Sequence, residues 1–279
     1  MVRHDRSMTT APEVSRVATR LGDLSVTAVG SGPTAVLWHS MFVDSSSWDR
    51  VVPALSVHRR LLLIDGPGHG ASAPLLRLSS IDECAEVALE VLDSLAPGER
   101  VDWVGNAWGG HVGMRVASVH GDRLRSLAAL SSPTRPVEGR GAIAALAALL
   151  GVVGPVPFLV RKIAEAQLTD ASRSDGRSLR VLTAALERTE RRSLARAVRS
   201  FIVDRVDVTD ALPSITVPAL FLSSDDRGEW SPADAERAAT LARSARSAVI
   251  ANARTLIAVE QPAAVAEQLI SFWAEHPAR

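Results

Sequence analysis

The chain has 279 residues, of which 47% are hydrophobic, so it can bury a substantial core and is not expected to be disordered. Basic and acidic side chains number 31 each, and this zero net charge argues against nucleic acid as a partner. Cys84 is the single cysteine, so no internal disulfide can form, and the first residues contain no apolar leader. These features predict a reduced, cytoplasmic protein.

Short apolar runs alternate with helical spacings along the first half of the chain. Apolar residues between polar ones from Glu13 onward predict two antiparallel strands that turn at residues 22–23. Continuous apolar runs, which are typical of strands buried on both faces, then alternate with patterns of helical period. The strands are expected at 34–38, 60–64, 101–104 and 124–130, and the helices at 45–56, 80–95 and 108–120. This alternation predicts a mostly parallel, doubly wound α/β sheet.

The pattern changes between about Ser132 and Pro213, where helical spacings occur without strand runs. The alternation then resumes, with strands at 219–222 and 248–250 and helices at 232–243 and 262–272. We therefore expect one α/β core, formed by residues 1–131 and 217–279. A helical cap of residues 132–216 is expected to interrupt it.

Residues 141–160 carry no charged side chain, and twenty such residues are long enough to span a bilayer. Gly154, Pro155 and Pro157 would break a helix within this run, which is unfavourable in lipid. We expect a buried cap helix followed by a turn, and we do not expect a membrane partner. Such an apolar lid would suit an apolar ligand or a membrane-facing entrance.

Three short segments follow the predicted strands in a fixed order. They are Trp38-His39-Ser40-Met41-Phe42, Asp65-Gly66-Pro67-Gly68-His69-Gly70-Ala71-Ser72 and Gly105-Asn106-Ala107-Trp108-Gly109-Gly110. In this order and spacing, the chain resembles the α/β-hydrolase superfamily from about Glu13 to Trp273. The resemblance implies an α/β-hydrolase fold with, in turn, an oxyanion loop, a structural turn and the nucleophile elbow G-x-S-x-G.

The resemblance places Ala107 where the family has its nucleophile. A methyl group has no lone pair and cannot form an acyl intermediate. The family's acid corresponds to Asp225 or Asp226, which follow a predicted strand. The family's histidine stands five residues before a glutamate, and counting back from Glu260 gives Thr255. The usual Ser-His-Asp triad is therefore not expected in this chain.

Trp108, directly after the elbow position, resembles the Asp-Trp elbow of epoxide hydrolases and haloalkane dehalogenases. Epoxide hydrolases of this fold use cap tyrosines to protonate the opening ring, and this chain contains no tyrosine. Dehalogenases would need both the aspartate and the histidine. Neither activity is expected, and the Trp108 ring is interpreted as lining a pocket floor.

A ligand site remains possible without the triad. Backbone N–H groups of Met41 and Trp108 would converge on one point, as they do in the family. The resemblance thus implies a small apolar ligand held by side chains of both loops and the cap, and no cofactor or metal is expected. The ligand-binding candidates are His39, Ser40, Met41, Phe42 and Trp108, together with Phe158 from the cap.

The remaining polar candidates are two aspartates, several serines and three histidines. Asp225 or Asp226 could act as a general base if its pKa is raised, or both could be a solvated pair beside Arg227. Ser40, where the family has glycine, and Ser131 and Ser132 are possible substitute hydroxyls, although no neighbouring histidine is expected to activate them. His39 and His69 are expected to hydrogen-bond within their loops, and His111 is expected to pack or hydrogen-bond one helical turn beyond Ala107.

Three functions are consistent with the sequence. The resemblance favours a hydrolase-family protein that acts on or binds a small apolar ester- or lactone-like carbonyl compound. The second is a ligand-binding protein that has lost catalysis, and the third is a nucleophile-independent lyase, isomerase or cyclase. Ala107 could also be an engineered replacement of serine, but a single replacement would not explain Thr255.

Overall fold

One eight-stranded sheet organises residues 11–226 and 228–278, which are the residues that the computed structural model describes. Residues 1–10 of the expected core, and Arg227 beside the aspartate pair, lie outside this part of the chain. The strands are β1 (Glu13–Val17), β2 (Leu24–Val29), β3 (Thr34–Trp38), β4 (Arg60–Ile64), β5 (Val101–Asn106), β6 (Leu124–Leu130), β7 (Ala219–Ser224) and β8 (Ala245–Ile250).

The strand order is β1-β2-β4-β3-β5-β6-β7-β8. Strand β2 pairs antiparallel with β1 and β4, and the other neighbours are parallel. A mostly parallel sheet needs crossover connections, and helices supply them. The α-helices are α1 (Val52–Leu55), α2 (Ile81–Leu95), α3 (Trp108–Val119), α4 (Arg140–Val153), α5 (Pro157–Gln167), α6 (Asp170–Ser174), α7 (Arg177–Arg188), α8 (Arg191–Val198), α9 (Pro232–Leu241), α10 (Ile257–Glu260) and α11 (Pro262–Glu275).

The sheet is covered on both faces, which explains the continuous apolar runs of its central strands. Trp38 and Trp103 pack in a cluster that also contains buried residues of α2 and α3. Leu37 and Val104, their neighbours in sequence, pack in a second cluster with buried residues of α11. Adjacent residues of a strand point to opposite faces, so both faces need apolar side chains. The predicted α/β architecture is confirmed.

The helices between β6 and β7, residues 140–214, are called the helical insertion here. Its first helix, α4, ends before Gly154, which has a φ of +77°, so the predicted turn occurs there. The expected burial of α4 is wrong, because only Ala147 and Leu150 are buried among its residues. These two residues are three apart and form one narrow stripe, by which α4 packs on α8. Ile143 and Leu146 are partly buried against the same core, and the outer side of α4 is exposed.

None of the helices in the described residues is both long enough and apolar enough to cross a membrane. The uncharged run at 141–160 is divided between α4 and α5 by the turn at residues 154–156. The division follows the positions of Gly154 and Pro155, as the sequence predicts.

Candidate active site

The loop between β5 and α3 forms a turn of one residue. Strand β5 ends at Asn106 and α3 begins at Trp108, so Ala107 alone reverses the chain, with φ 48° and ψ −105°. Such angles cost a non-glycine residue roughly 1–3 kcal/mol. The flanking glycines are required by space, because a Cβ at Gly105 would lie 2.1 Å from the backbone of Gly109. The tight elbow is therefore present, with a methyl group at its tip.

The N–H group that follows this tip has no acceptor within its own helix. Trp108 is the first residue of α3, and the first N–H groups of a helix lack intrahelical partners. Met41 lies in the loop after β3, and its carbonyl oxygen is 2.6 Å from His69 Nε2. His69 Nδ1 lies 3.1 Å from the Pro67 carbonyl oxygen. Burial lowers the pKa of His69 to about 4, so the ring is neutral and donates a single N–H, which the shorter of the two contacts assigns to Nε2. His69 thus fixes the Met41 peptide.

His39 fixes the same loop from its other side. Its Nε2 accepts the Gly66 N–H at 2.9 Å, and its Nδ1–H therefore donates to the Ser40 carbonyl at 2.7 Å. This pattern requires a neutral ring, and burial lowers the pKa of His39 accordingly. Ser40 and Met41 are buried, and Phe42 is partly buried. As predicted, both histidines serve the backbone, so neither ring is available as a base.

The Trp108 ring belongs to the core and exposes only 4% of the residue. It stacks on Phe201 with ring centres 4.9 Å apart and meets Trp38 edge-on at 5.5 Å. A Cβ at Gly66 would lie 2.5 Å from this ring, which explains a glycine at that position. Little of the ring is open to a ligand, so the contribution of Trp108 to a site rests on its backbone N–H.

Phe158 lies on the outer surface of α5, and the expectation that it encloses the ligand is wrong. It is 53% exposed, and the Arg161 guanidinium lies 5.7 Å from its ring centre. The inward positions of α5 are held by Leu159 and Ile163, which are four residues apart and buried. Residue 158 is rotated away from that stripe, because neighbouring residues on a helix do not share a face.

Thr255 lies beside the elbow. Its carbonyl oxygen accepts a hydrogen bond of 2.9 Å from Nδ2 of Asn106, the residue before Ala107. Its N–H donates to the Gln167 carbonyl at 3.2 Å, and the Leu256 N–H donates to the same oxygen at 3.3 Å. Asn106 was not among the site residues predicted from the sequence. Its place directly after a predicted buried strand was the available signal, because a buried amide needs hydrogen-bond partners.

The two candidate acids have different surroundings. Oδ2 of Asp226 accepts hydrogen bonds from Nε and Nη2 of Arg254 at 3.0 and 2.8 Å, whereas Asp225 is exposed. The expected flanking cation, Arg227, lies outside the described residues, and within them Arg254 forms an ion pair with Asp226. The Asp226 carboxylate is thus held by the guanidinium of the residue next to Thr255.

Glu260 connects the helical insertion to the core, a role that the sequence analysis missed. Its Oε1 accepts hydrogen bonds from the N–H and the hydroxyl of Thr169, both at 2.8 Å, and its Oε2 accepts one from the Arg254 N–H at 2.7 Å. The Arg254 guanidinium also donates to the Glu165 carbonyl. We call these contacts between residues 165–169 and 254–260 the insertion joint. A glutamate next to the apolar residues 257–259 was the signal, because a buried carboxylate needs several donors.

Residues 35–268 match the sequence model of the alpha/beta hydrolase family. The chain belongs to the α/β-hydrolase family. It is 30% identical over 207 residues to the pimeloyl-acyl-carrier-protein methyl ester esterase of Vibrio vulnificus, covering 72% of this chain and 78% of that protein. The match to the acetoin-cleaving dihydrolipoyllysine-residue acetyltransferase component of Pseudomonas putida has 33% identity over 128 residues, 46% of this chain, and the chain spans only 34% of that protein.

A solved structure of the same family agrees with the fold. The enol-lactonase of Burkholderia xenovorans LB400 superposes with a TM-score of 0.82 and 24% identity, covering 93% of this chain and 100% of that one. The family and the fold predicted from the three loop segments are therefore confirmed. The roles of individual residues in this α/β-hydrolase chain stay predictions.

The candidate hydroxyls of Ser131 and Ser132 do not pair with the imidazole of His111. Ser131 Oγ donates to the Arg254 carbonyl at 3.2 Å, and Ser132 Oγ donates to the Leu130 carbonyl at 2.9 Å. His111 is buried on α3, and neither of its ring nitrogens has a hydrogen-bond partner among the described residues. Burial, together with the charge of Arg205, lowers the pKa of His111 to about 3. No serine–histidine pair is therefore found in this part of the site.

Two clefts open at this end of the sheet. One of about 390 Å³ lies between residues 169–171 and the loops that carry Asp226 and Arg254, and one of about 500 Å³ lies between residues 133–138 and α9. Neither cleft is lined by Ala107 or by Met41. Among the residues that the structure describes, no cluster of three histidine, cysteine, aspartate or glutamate side chains could hold a metal ion.

Proposed function

We propose that this α/β-hydrolase chain binds a small apolar ester- or lactone-like carbonyl compound at the elbow, and does not cleave it through an acyl-enzyme. The observation that carries the proposal is the conformation of Ala107. The backbone holds the strained turn that presents a nucleophile in this fold, yet the side chain at its tip is a methyl group.

The proposed carbonyl-binding groups belong to the main chain and do not depend on a nucleophile. The Trp108 N–H lies at the start of α3, and His69 and His39 fix the loop that carries the Met41 N–H. Two fixed N–H donors can hold a carbonyl oxygen, because they need no reorganisation when the ligand arrives. Relatives include an esterase and structural neighbours include a lactonase, which supports carbonyl compounds as the ligand class.

The absence of hydrolysis is proposed from the surroundings of the other two triad positions. Thr255 has no basic atom in its side chain, and its backbone N–H is bonded to Gln167. Asp226 is paired with Arg254, whose guanidinium donates two hydrogen bonds to its Oδ2. A hydroxyl or a water molecule at the elbow would therefore have no base to activate it.

The catalytic half of the proposal is tested with the purified full chain and 4-nitrophenyl butyrate. We expect hydrolysis within about tenfold of the uncatalysed rate, and no adduct by mass spectrometry after treatment with a serine-directed fluorophosphonate. Steady turnover together with a stoichiometric adduct would overturn this half and would identify a substitute nucleophile.

The binding half is tested by thermal unfolding against a panel of short-chain esters and lactones. A ligand at about 100 times its Kd adds about 2.7 kcal/mol to the free energy of unfolding. The variant Ala107→Leu puts a larger side chain at the tip of the elbow and is expected to abolish the shift, whereas Ala263→Leu, at an exposed position of α11, should retain it. Absence of a shift across the panel, or a shift that Ala107→Leu leaves intact, would contradict binding at the elbow.

A further inference from the structure

Five large apolar side chains are exposed together where α4 turns into α5. They range from 38% exposed at Val156 to 69% at Val152, within ten residues of the chain. We call this set the α4–α5 apolar patch, and its members are Leu149, Val152, Val153, Val156 and Phe158. Single exposed apolar residues are ordinary, but a contiguous group of this kind marks an interaction surface.

The segment that contains the patch carries only basic side chains between Glu138 and Glu165. Residues 139–164 contain no aspartate or glutamate, but they include Arg140, Arg161 and Lys162. Arg191 of α8 also adjoins the turn, because its Cδ would lie 3.9 Å from a Cβ at Gly154. The chain as a whole has zero net charge, so the cationic rim is a local feature.

Some of these cations are neutralised within the molecule and others are not. Glu165 pairs with Lys162 at 2.9 Å and with Arg161 at 3.8 Å. No ion pair involves Arg140 or Arg191 within the residues that the structure describes. An unpaired cation at the turn, Arg191, and one at the start of α4, Arg140, favour an anionic partner that also offers an apolar phase.

The length and packing of α4 suit shallow insertion of the α4–α5 apolar patch into a membrane surface. Helix α4 has 14 residues, which corresponds to a length of about 21 Å, and a bilayer core is about 30 Å thick. Ala147 and Leu150 hold α4 on α8, so only its outer side and the turn at 154–156 are available to a partner. An apolar helix face with cations around it is the arrangement that lies in the plane of a membrane interface.

We propose that the α4–α5 apolar patch docks on the surface of an anionic lipid bilayer, where its apolar side chains enter the headgroup region and the cationic rim meets lipid phosphates. This departs from the sequence expectation of no membrane partner and develops the membrane-facing entrance that the uncharged run suggested. A second copy of this chain would also cover the patch. A two-fold contact between copies, however, would bring the same cations face to face, and like charges oppose it.

The proposal is tested by co-sedimentation of the purified full chain with phosphatidylcholine vesicles and with vesicles that contain 30% phosphatidylglycerol. We expect binding to the anionic vesicles, weaker binding to the neutral ones, and a fall as salt is raised from 50 to 500 mM, because salt screens the attraction to lipid phosphates. The double variant Val152→Asp/Phe158→Asp should bind anionic vesicles at least about tenfold more weakly, because two charges would have to enter the interface.

Matched controls use exposed apolar residues outside the patch. Val119 is 52% exposed and Leu76 is 80% exposed, so Val119→Asp/Leu76→Asp adds the same charges elsewhere and should bind as the unmodified chain does. Arg140→Gln/Arg191→Gln should reduce binding to anionic vesicles and leave binding to neutral ones unchanged. Circular dichroism and thermal unfolding confirm that each variant is folded.

Three outcomes would overturn the proposal. The first is no binding to anionic vesicles at 50 mM salt, and the second is equal loss of binding in the patch variant and in the control variant. The third is a concentration-dependent dimer that only the patch variant abolishes in size-exclusion chromatography without lipid, since the patch would then be covered by a second copy. The vesicle result does not depend on ligand binding at the elbow, so the two proposals fail separately.

Discussion

Ala107 occupies a backbone conformation that an alanine adopts only when its surroundings impose it. The bonds on both sides are clear: its N–H donates to the Leu130 carbonyl at 2.8 Å, and its carbonyl accepts the His111 N–H at 3.0 Å. Strand β6 and helix α3 together therefore determine the turn. A chain that needed only a connection here would be more stable with glycine, because glycine adopts positive φ without a steric penalty.

We predict that Ala107→Gly raises the free energy of unfolding by about 1 kcal/mol, because relief of strain exceeds the added entropy of the unfolded chain. The matched control is Ala117→Gly, which lies in the regular part of α3 and should lower stability by at least about 1 kcal/mol. Urea unfolding of both variants gives the comparison. Equal destabilisation of the two would mean that the turn at residue 107 is not strained.

A second prediction concerns Thr255, whose carbonyl is bonded to the residue before Ala107. Ala107→Ser alone should gain little esterase activity, because a neutral hydroxyl without a base is a poor nucleophile. Ala107→Ser/Thr255→His should exceed the sum of the single variants, because nucleophile and base act as a unit. The kcat/KM for hydrolysis of 4-nitrophenyl acetate is measured for each single variant and for the double variant.

Arg254 is expected to limit the esterase activity of the Ala107→Ser/Thr255→His variant. Asp226 is paired with this arginine, so the new imidazole would lack a carboxylate to orient it. Adding Arg254→Ala to the double variant should raise kcat/KM by a further factor of about ten or more. A double variant no better than Ala107→Ser would place the family's histidine position elsewhere than Thr255.

At the scale of elements, the insertion joint holds the loop after β8 against the helical insertion. Glu260 is its centre and accepts three hydrogen bonds with its two oxygens. Both oxygens face backbone N–H donors, from Thr169 and Arg254. An amide in place of the carboxylate would therefore direct its NH₂ group at one of these donors.

We predict that Glu260→Gln lowers the free energy of unfolding by about 1–3 kcal/mol, because a buried N–H loses its acceptor. Glu267→Gln, on the exposed side of α11, removes the same charge and should change stability by no more than about 0.5 kcal/mol. Chemical denaturation of the two variants provides the test. Equal effects would show that the loss at residue 260 is one of net charge and not of hydrogen bonding.

The sequence predicts some elements well, and the reasons differ between them. The central strands are visible because both of their faces are buried, as for Leu37 and Trp38. The elbow is recognisable in the sequence because neighbouring backbone leaves no room for a side chain at positions 105 and 109, so both are glycine. The exposure of α4 could not be predicted from the sequence. A helix rich in alanine and leucine has the same composition whether it is fully buried or packs along a single stripe. The Arg254–Asp226 pair joins residues 28 positions apart on two loops, and no local pattern encodes it.

At the scale of the whole molecule, buried histidines make stability depend on pH. Burial lowers the pKa of His69 to about 4 and that of His111 to about 3, whereas an unfolded histidine titrates near 6.5. Between these values the unfolded chain binds more protons than the folded one. Stability is therefore fully present above pH 6.5 and is lost as pH falls towards the folded-state pKa values.

We predict that each of these two histidines removes roughly 2 kcal/mol of stability between pH 7 and pH 5. His111→Leu should reduce the loss by about that amount, and it should not lower stability at pH 7, because the ring nitrogens have no partner among the described residues. His58→Gln, at an exposed position, should leave the pH dependence unchanged. Urea unfolding at the two pH values decides; an unaltered profile in His111→Leu would contradict burial of a neutral ring.

One contact of the insertion joint does not depend on the type of side chain at position 255. Within the joint, the Thr255 N–H donates to the Gln167 carbonyl, and this contact uses backbone atoms that every residue type except proline possesses. The path of the loop can therefore be transmitted through many generations of sequence change while the side chain at position 255 varies. A lineage can lose or acquire an imidazole there by a single codon replacement without having to rebuild the scaffold around it.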